Sequence, residues 1–183
     1  VGRSQELTYT LNGLINDGSI PDLPVFVDSP LTVNVTEVFM KHPECFSEDI
    51  CNIKQPGCDP FGLHRIKYIE DVEESKKLND FNKPCIIISA SGMCESGRIL
   101  HHLKNNVENP RNAVLIVGYQ AEGTLGRRLV EKAEHVKIFG EEYVRRAEVA
   151  VINAFSAHAD KQELIRYLEG IKERPKKTFI VHG

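Results

Sequence analysis

Two histidines are the first residues in this chain with an obvious capacity for chemistry. His158 and His182 each follow an apolar run that reads as a strand, and one amphipathic stretch separates them. Imidazole titrates near neutral pH and is a common metal ligand, so a pair on one sheet edge fits a metal site or acid–base work. Their neighbours Ala157, Ala159 and Gly183 are small and leave room around both rings. Two histidines do not complete a zinc centre, which takes three or more protein ligands. The chain carries no H-E-x-x-H and no H-x-H-x-D-H run to supply the rest.

A second group of candidates sits at polar corners behind apolar runs. Ser89-Ala90-Ser91-Gly92 follows Cys85–Ile88, and Gly123-Thr124-Leu125-Gly126 follows the run ending at Val117, with Arg98 and Arg127 just inside the helices behind them. Backbone N–H groups at a glycine-opened helix start form an anion seat. Ser89, Ser91, Gly92, Arg98, Gly123, Thr124, Gly126 and Arg127 are therefore candidate contacts to a substrate phosphate. For any one of Arg98, Arg127, Arg128 and Lys132 a solvated helix face is an equal explanation. Asp28 ends the Val25–Val27 run and can meet a ligand or cap the helix that follows. His101 and His102 point about 100° apart on a helix, so one is expected exposed and the other packed. Cys45, Cys51 and Cys58 are too widely spaced for the short C-x₂₋₄-C knuckles of structural zinc, and their segment reads as a surface excursion or lid before it reads as a metal site.

These residues need a frame. Strands are expected at 25–27, 66–69, 85–89, 113–117, 149–152 and 178–181. Helices are expected between them: one capped by Ser4 with Leu7, Leu11, Leu14 and Ile15 toward the core, one with Leu31, Val35, Val38 and Phe39, a charged one over 72–78, one from Ser96 to about Val107, one opened by Gly123–Gly126, and one over 161–170 capped by Asp160 with Leu164, Ile165 and Leu168 on its apolar face. Residues 135–151 alternate around Gly140 and read as a hairpin or a pair of edge strands. Continuous apolar strands alternating with helices imply an α/β fold, a mainly parallel sheet flanked by helices and buried on both faces. In such sheets ligands gather at the carboxyl ends of the strands.

Composition narrows the partners. A formal charge of −3 over 183 residues excludes a protein that holds nucleic acid by bulk positive charge, though not a locally basic cleft. Five cysteines, an odd number, suit reduced thiols. No apolar run nears the ~20 residues that span a bilayer and no leader pattern opens the chain, so a cytoplasmic protein without a membrane partner is expected. The chain opens without Met and stops at a strand end, from which we expect a piece of a longer protein.

Val1–Leu7, Val27–Leu31, Ser89–Met93, Gly118–Gly126, Phe155–Asp160 and Val181–Gly183 together resemble, in order and across the whole chain, the β-CASP part of metallo-β-lactamase-fold RNA nucleases. The resemblance implies a Rossmann-like β-CASP domain over 1–152 and, over 153–183, the start of the return into the metallo-β-lactamase domain. It implies a parent protein that hydrolyses RNA phosphodiester bonds with two zinc ions. The position of His158 implies a catalytic residue near the scissile phosphate, moving a proton or stabilising charge, and that of His182 implies a ligand to one zinc. The Ser89–Gly92 and Gly123–Gly126 corners would line a groove for single-stranded RNA. The family's H-x-H-x-D-H cluster, its further ligands and the acidic partner of His158 would lie before Val1, in a metallo-β-lactamase domain joined in cis. This part alone is expected to be inactive and to bind no zinc tightly; a homodimer stays open. Two other readings remain: a non-catalytic RNA-binding homologue of the same fold, and a nucleotide-binding transferase, against which the lack of G-x-G-x-x-G counts.

Overall fold

In a computed structural model the described residues are 2–46, 50, 59–152, 159, 161–172 and 175–179. The order is α1 (Arg3–Asn16), β1 (Val25–Asp28), α2 (Pro30–Lys41), β2 (Lys67–Ile69), α3 (Val72–Lys77), β3 (Ile86–Ser89), α4 (Arg98–Asn106), β4 (Ala113–Ile116), α5 (Leu125–Val130), β5 (His135–Ile138), β6 (Glu141–Val144), β7 (Glu148–Val151) and α6 (Lys161–Glu169). Strands β2-β1-β3 form one parallel sheet and β4-β7 a parallel pair, while β5 and β6 form an antiparallel hairpin. Asp28 is in register with both Ile69 and Ser89, so the carboxyl ends of the three strands lie side by side.

The α/β expectation holds, with burial on both faces only at β1. Val25 and Val27 pack with Ile15 and Ile66 on one side, and Phe26 with Ile69 and Leu78 on the other. Phe81 meets Phe26 edge-on at 5.3 Å. In the β4-β7 pair, Ile116 and Val149 join a core built on Leu103, Val107, Leu129, Val136 and Ile138, whereas Leu115 faces outward.

Two helix faces are turned from the expected ones. The buried positions of α1 are Gln5, Thr8, Asn12 and Ile15, with the leucines half-buried beside them. On α2, Thr32 and Thr36 are buried while Leu31 and Val38 are exposed. The cause is a closed polar interface. Gln5 Nε2 donates to Thr36 Oγ1 at 2.9 Å and to Thr32 O at 3.3 Å, and Thr36 Oγ1 donates to Thr32 O at 2.8 Å. Buried polar groups that satisfy one another escape most of the desolvation penalty.

The helix starts differ as well. Ser4 lies inside α1, whose N-cap is Gly2. Ser29 caps α2 by accepting from the Thr32 N–H, so Asp28 is not the cap. Lys132 falls beyond the end of α5. Leu164, Ile165 and Leu168 of α6 are exposed. Thr178 and Phe179 belong to no strand, and Asp160, Cys51, Cys58 and residues 180–183 lie outside the described residues.

Leu129 is fully buried and Leu31 is 63% exposed. Leu129→Ala should cost about 2–5 kcal/mol in urea unfolding, and Leu31→Ala less than about 0.5 kcal/mol. A large loss at Leu31 would contradict the orientation of α2.

Candidate functional site

The carboxyl end of β1 is tied by charge to two other elements. Asp28 has no exposed surface. Its Oδ1 accepts from Arg98 Nη1 at 2.6 Å, and its Oδ2 accepts from Ser75 Oγ and from the His102 ring at Nε2, each at 2.6 Å. Arg98 also donates to the carbonyls of Ile69, at 3.2 Å, and Glu70. The first two turns of α4 are thereby fixed over the ends of β1 and β2. Burial alone would raise the Asp28 pKa; the hydrogen bonds from His102, Ser75 and Arg98, with the charge of His102, outweigh it and hold the carboxyl below its ordinary range. His102 is buried and His101 exposed, as their helical offset predicts.

Two loops close above this knot. Between β3 and α4 the chain turns through Gly97 at φ 80°, where an added Cβ would lie 2.8 Å from Ala90 O, so this position rather than Gly92 requires glycine. The loop after β4 is clamped to it. Gln120 Nε2 donates to Gly92 O at 2.9 Å and Gly118 O at 3.0 Å, the Gly126 N–H donates to Met93 O at 3.0 Å, and the Leu125 N–H donates to the Glu95 carboxylate. An added Cβ at Gly126 would lie 1.7 Å from Gln120 Oε1. Gly126 is thus required by contact. The ends of β1, β3 and β4 thereby share one rim.

This arrangement changes the expected anion seat. Glu95 takes the Leu125 amide, Met93 O the Gly126 amide, the Thr124 hydroxyl the Arg127 amide at 3.1 Å, and Thr124 O the Arg128 amide at 3.2 Å. The carboxylate at this helix start already plays the anion's part. Arg98 is engaged by its three acceptors, and Arg127 pairs with Glu131 at 2.6 Å. Ser89 Oγ donates to Asp28 O at 3.0 Å. Ser91, Gly92, Gly123 and Thr124 lie on the two loops of the rim. His158 and His182 fall outside the described residues. Among the described residues no three His, Cys, Asp or Glu side chains gather as a metal would need, so zinc does not fit them unaided. Burial, then the Glu95 charge, push the Cys94 thiol up to about 11, away from the thiolate that a nucleophile needs.

The sequence did not announce Gln120 and Glu95, which hold the two loops together. The only local hint was their occurrence inside glycine-rich corners that also carry the strand ends.

The Beta-Casp domain family matches residues 4–129, and the Zn-dependent metallo-hydrolase RNA specificity domain matches residues 142–183. The whole chain is 36% identical to "Ribonuclease TTHA0252" of Thermus thermophilus and 37% identical to "RNase J-like protein" of Methanocaldococcus jannaschii, and it spans 41% of the length of each. It is 34% identical to "Transcription termination factor FttA" of Methanosarcina mazei, spanning 30% of that protein.

Two outcomes follow from the rim. Gly126→Ala should cost about 1–3 kcal/mol in urea unfolding and speed exchange of the Gly126 amide; unchanged exchange would mean that the clamp is not closed. The sign of the Asp28 effect follows from its lowered folded pKa. The stability it contributes is complete above the unfolded carboxyl value of about 4 and is lost as pH falls through the folded value. Wild-type urea midpoints should therefore fall between about pH 5 and pH 2 more steeply than those of Asp28→Asn, and parallel curves would contradict an ionised Asp28.

Proposed function

The chain belongs to the β-CASP family of metallo-β-lactamase-fold RNA nucleases, and from that we propose that it is the RNA-gripping part of a zinc-dependent ribonuclease. One observation carries the reading: two family matches, Beta-Casp and then RNA specificity domain, succeed each other along a chain whose strand ends are joined into a single rim. Because the chain spans 41% or less of these relatives, the catalytic centre in this reading is completed by a metallo-β-lactamase domain elsewhere in the protein.

The roles divide by chemistry. His158 sits near the scissile phosphate and moves a proton or stabilises developing charge. His182 contributes one ligand to a two-zinc centre whose other ligands come from outside this chain. Zinc held there would supply Lewis-acid polarisation of the phosphodiester and an activated water. Ser89, Ser91, Gly92, Gly123 and Thr124 place their loops along single-stranded RNA. Arg98 and Gly126 act at one remove, Arg98 by fixing α4 over Asp28 and Gly126 by admitting Gln120. The boundary near Asn153 is supported by β7, which pairs with β4 and so keeps the first unit intact through Val151. Among the described residues no helix is long and apolar enough to cross a membrane, and a cytoplasmic protein is part of the same reading.

The test is cleavage of single-stranded RNA by the full-length protein with zinc. His158→Ala should lower kcat by about 10²–10⁴-fold with RNA affinity unchanged, and His182→Ala should lower both zinc occupancy and activity. A wild-type protein that binds RNA and never cuts it is the non-catalytic homologue instead. Full activity in His158→Ala would remove the catalytic role of that residue.

A further inference from the structure

The described residues hold five half-buried arginines: Arg3, Arg65, Arg98, Arg127 and Arg145. Four of them have acceptors: Asn16 and Asp22 for Arg65, Asp28 with two carbonyls for Arg98, Glu131 for Arg127, and three carbonyls for Arg145. Arg3 alone has none among the described residues. Its guanidinium nitrogens are not shut away from solvent, so an anion can reach them. Arg3 is also the first residue of a 14-residue helix, where the dipole disfavours a cation.

The position of its head group gives the reason. A Cβ added at Gly118 would lie 2.0 Å from Arg3 Nη1 and 3.0 Å from Cζ. Gly118 is buried and its φ is not in the left-handed region, so its backbone makes no demand for glycine. The missing side chain admits the guanidinium. Arg3 thus reaches from α1, which packs on α2, to the end of β4, and lies on the rim. The next residue, Tyr119, is 65% exposed.

We propose that Arg3, seated on Gly118, is a phosphate contact for single-stranded RNA on this rim, with the Tyr119 ring offered to an adjacent base. The planar fork of arginine matches two phosphate oxygens, and an exposed aromatic ring stacks any base. An anion there offsets the unfavourable placement of a cation at the start of α1. This inference rests on the RNA-binding reading and adds the residues that grip the substrate.

The experiment is fluorescence anisotropy of a single-stranded oligoribonucleotide on the full-length protein in a His158→Ala background, across a salt series. Arg3→Gln should weaken binding about tenfold and flatten the slope of log affinity against log salt by about 0.7–1. Gly118→Ala should weaken it comparably with every charge retained, because the new methyl displaces the guanidinium. Tyr119→Ala should weaken binding without changing the slope. Thermal unfolding reports whether each variant folds; should Arg3→Gln not fold, Gly118→Ala decides. Wild-type affinity and slope in a folded Arg3→Gln, or wild-type affinity in a folded Gly118→Ala, overturns the contact and leaves the RNA reading intact. No binding by the parent protein overturns both.

Discussion

The carboxylate of Asp28 fixes the geometry on which the rest of the rim depends. It ends the central strand of its sheet, has no contact with water, and is met by a hydroxyl, an imidazole and a guanidinium from two other elements. A buried ion pair of this kind adds little net stability over an apolar substitute, since desolvation offsets most of the attraction. Its effect is on placement. Arg98 and His102 lie one turn apart on α4, so their common partner fixes both the height and the rotation of that helix over the strand ends.

The remaining contacts follow outward from α4. Its first turn sets where Gly97 must stand, and Gly97 sets the path of the loop from Ser89. That loop presents Gly92 O, Met93 O and Glu95 to the corner after β4, which answers with Gln120, Gly126 and the Leu125 amide. The amides that a glycine-rich corner would lend to an anion are therefore engaged in joining the two corners. A ligand at this edge would meet instead the Arg3 guanidinium, which has no acceptor among the described residues and lies against Gly118.

Strands were readable because their apolar runs are continuous, and β1, β3 and β4 start and stop close to their expected limits. The corners were readable as places for the same reason. Helix faces were not, because a hydrophobic pattern assumes that polar residues point outward, and Gln5 and Thr36 point inward to bond each other and the Thr32 carbonyl. The role of Asp28 was hidden by distance along the chain: Arg98 lies 70 residues on and His102 lies 74. Neither helix capping nor ligand contact, the two local explanations, describes it. Adjacent His101 and His102 were separable in advance because helical offset alone decides that they cannot share an environment.

In the proposed reading the ends of β1, β3 and β4 form one edge that faces RNA. Photocrosslinking of 4-thiouridine-substituted single-stranded RNA to the full-length protein, with the attached peptides identified by mass spectrometry, tests it most directly. Adducts are expected within residues 89–97 and 118–127. Adducts confined to other surfaces, such as the β5-β6 hairpin or the outer face of α2, would contradict it.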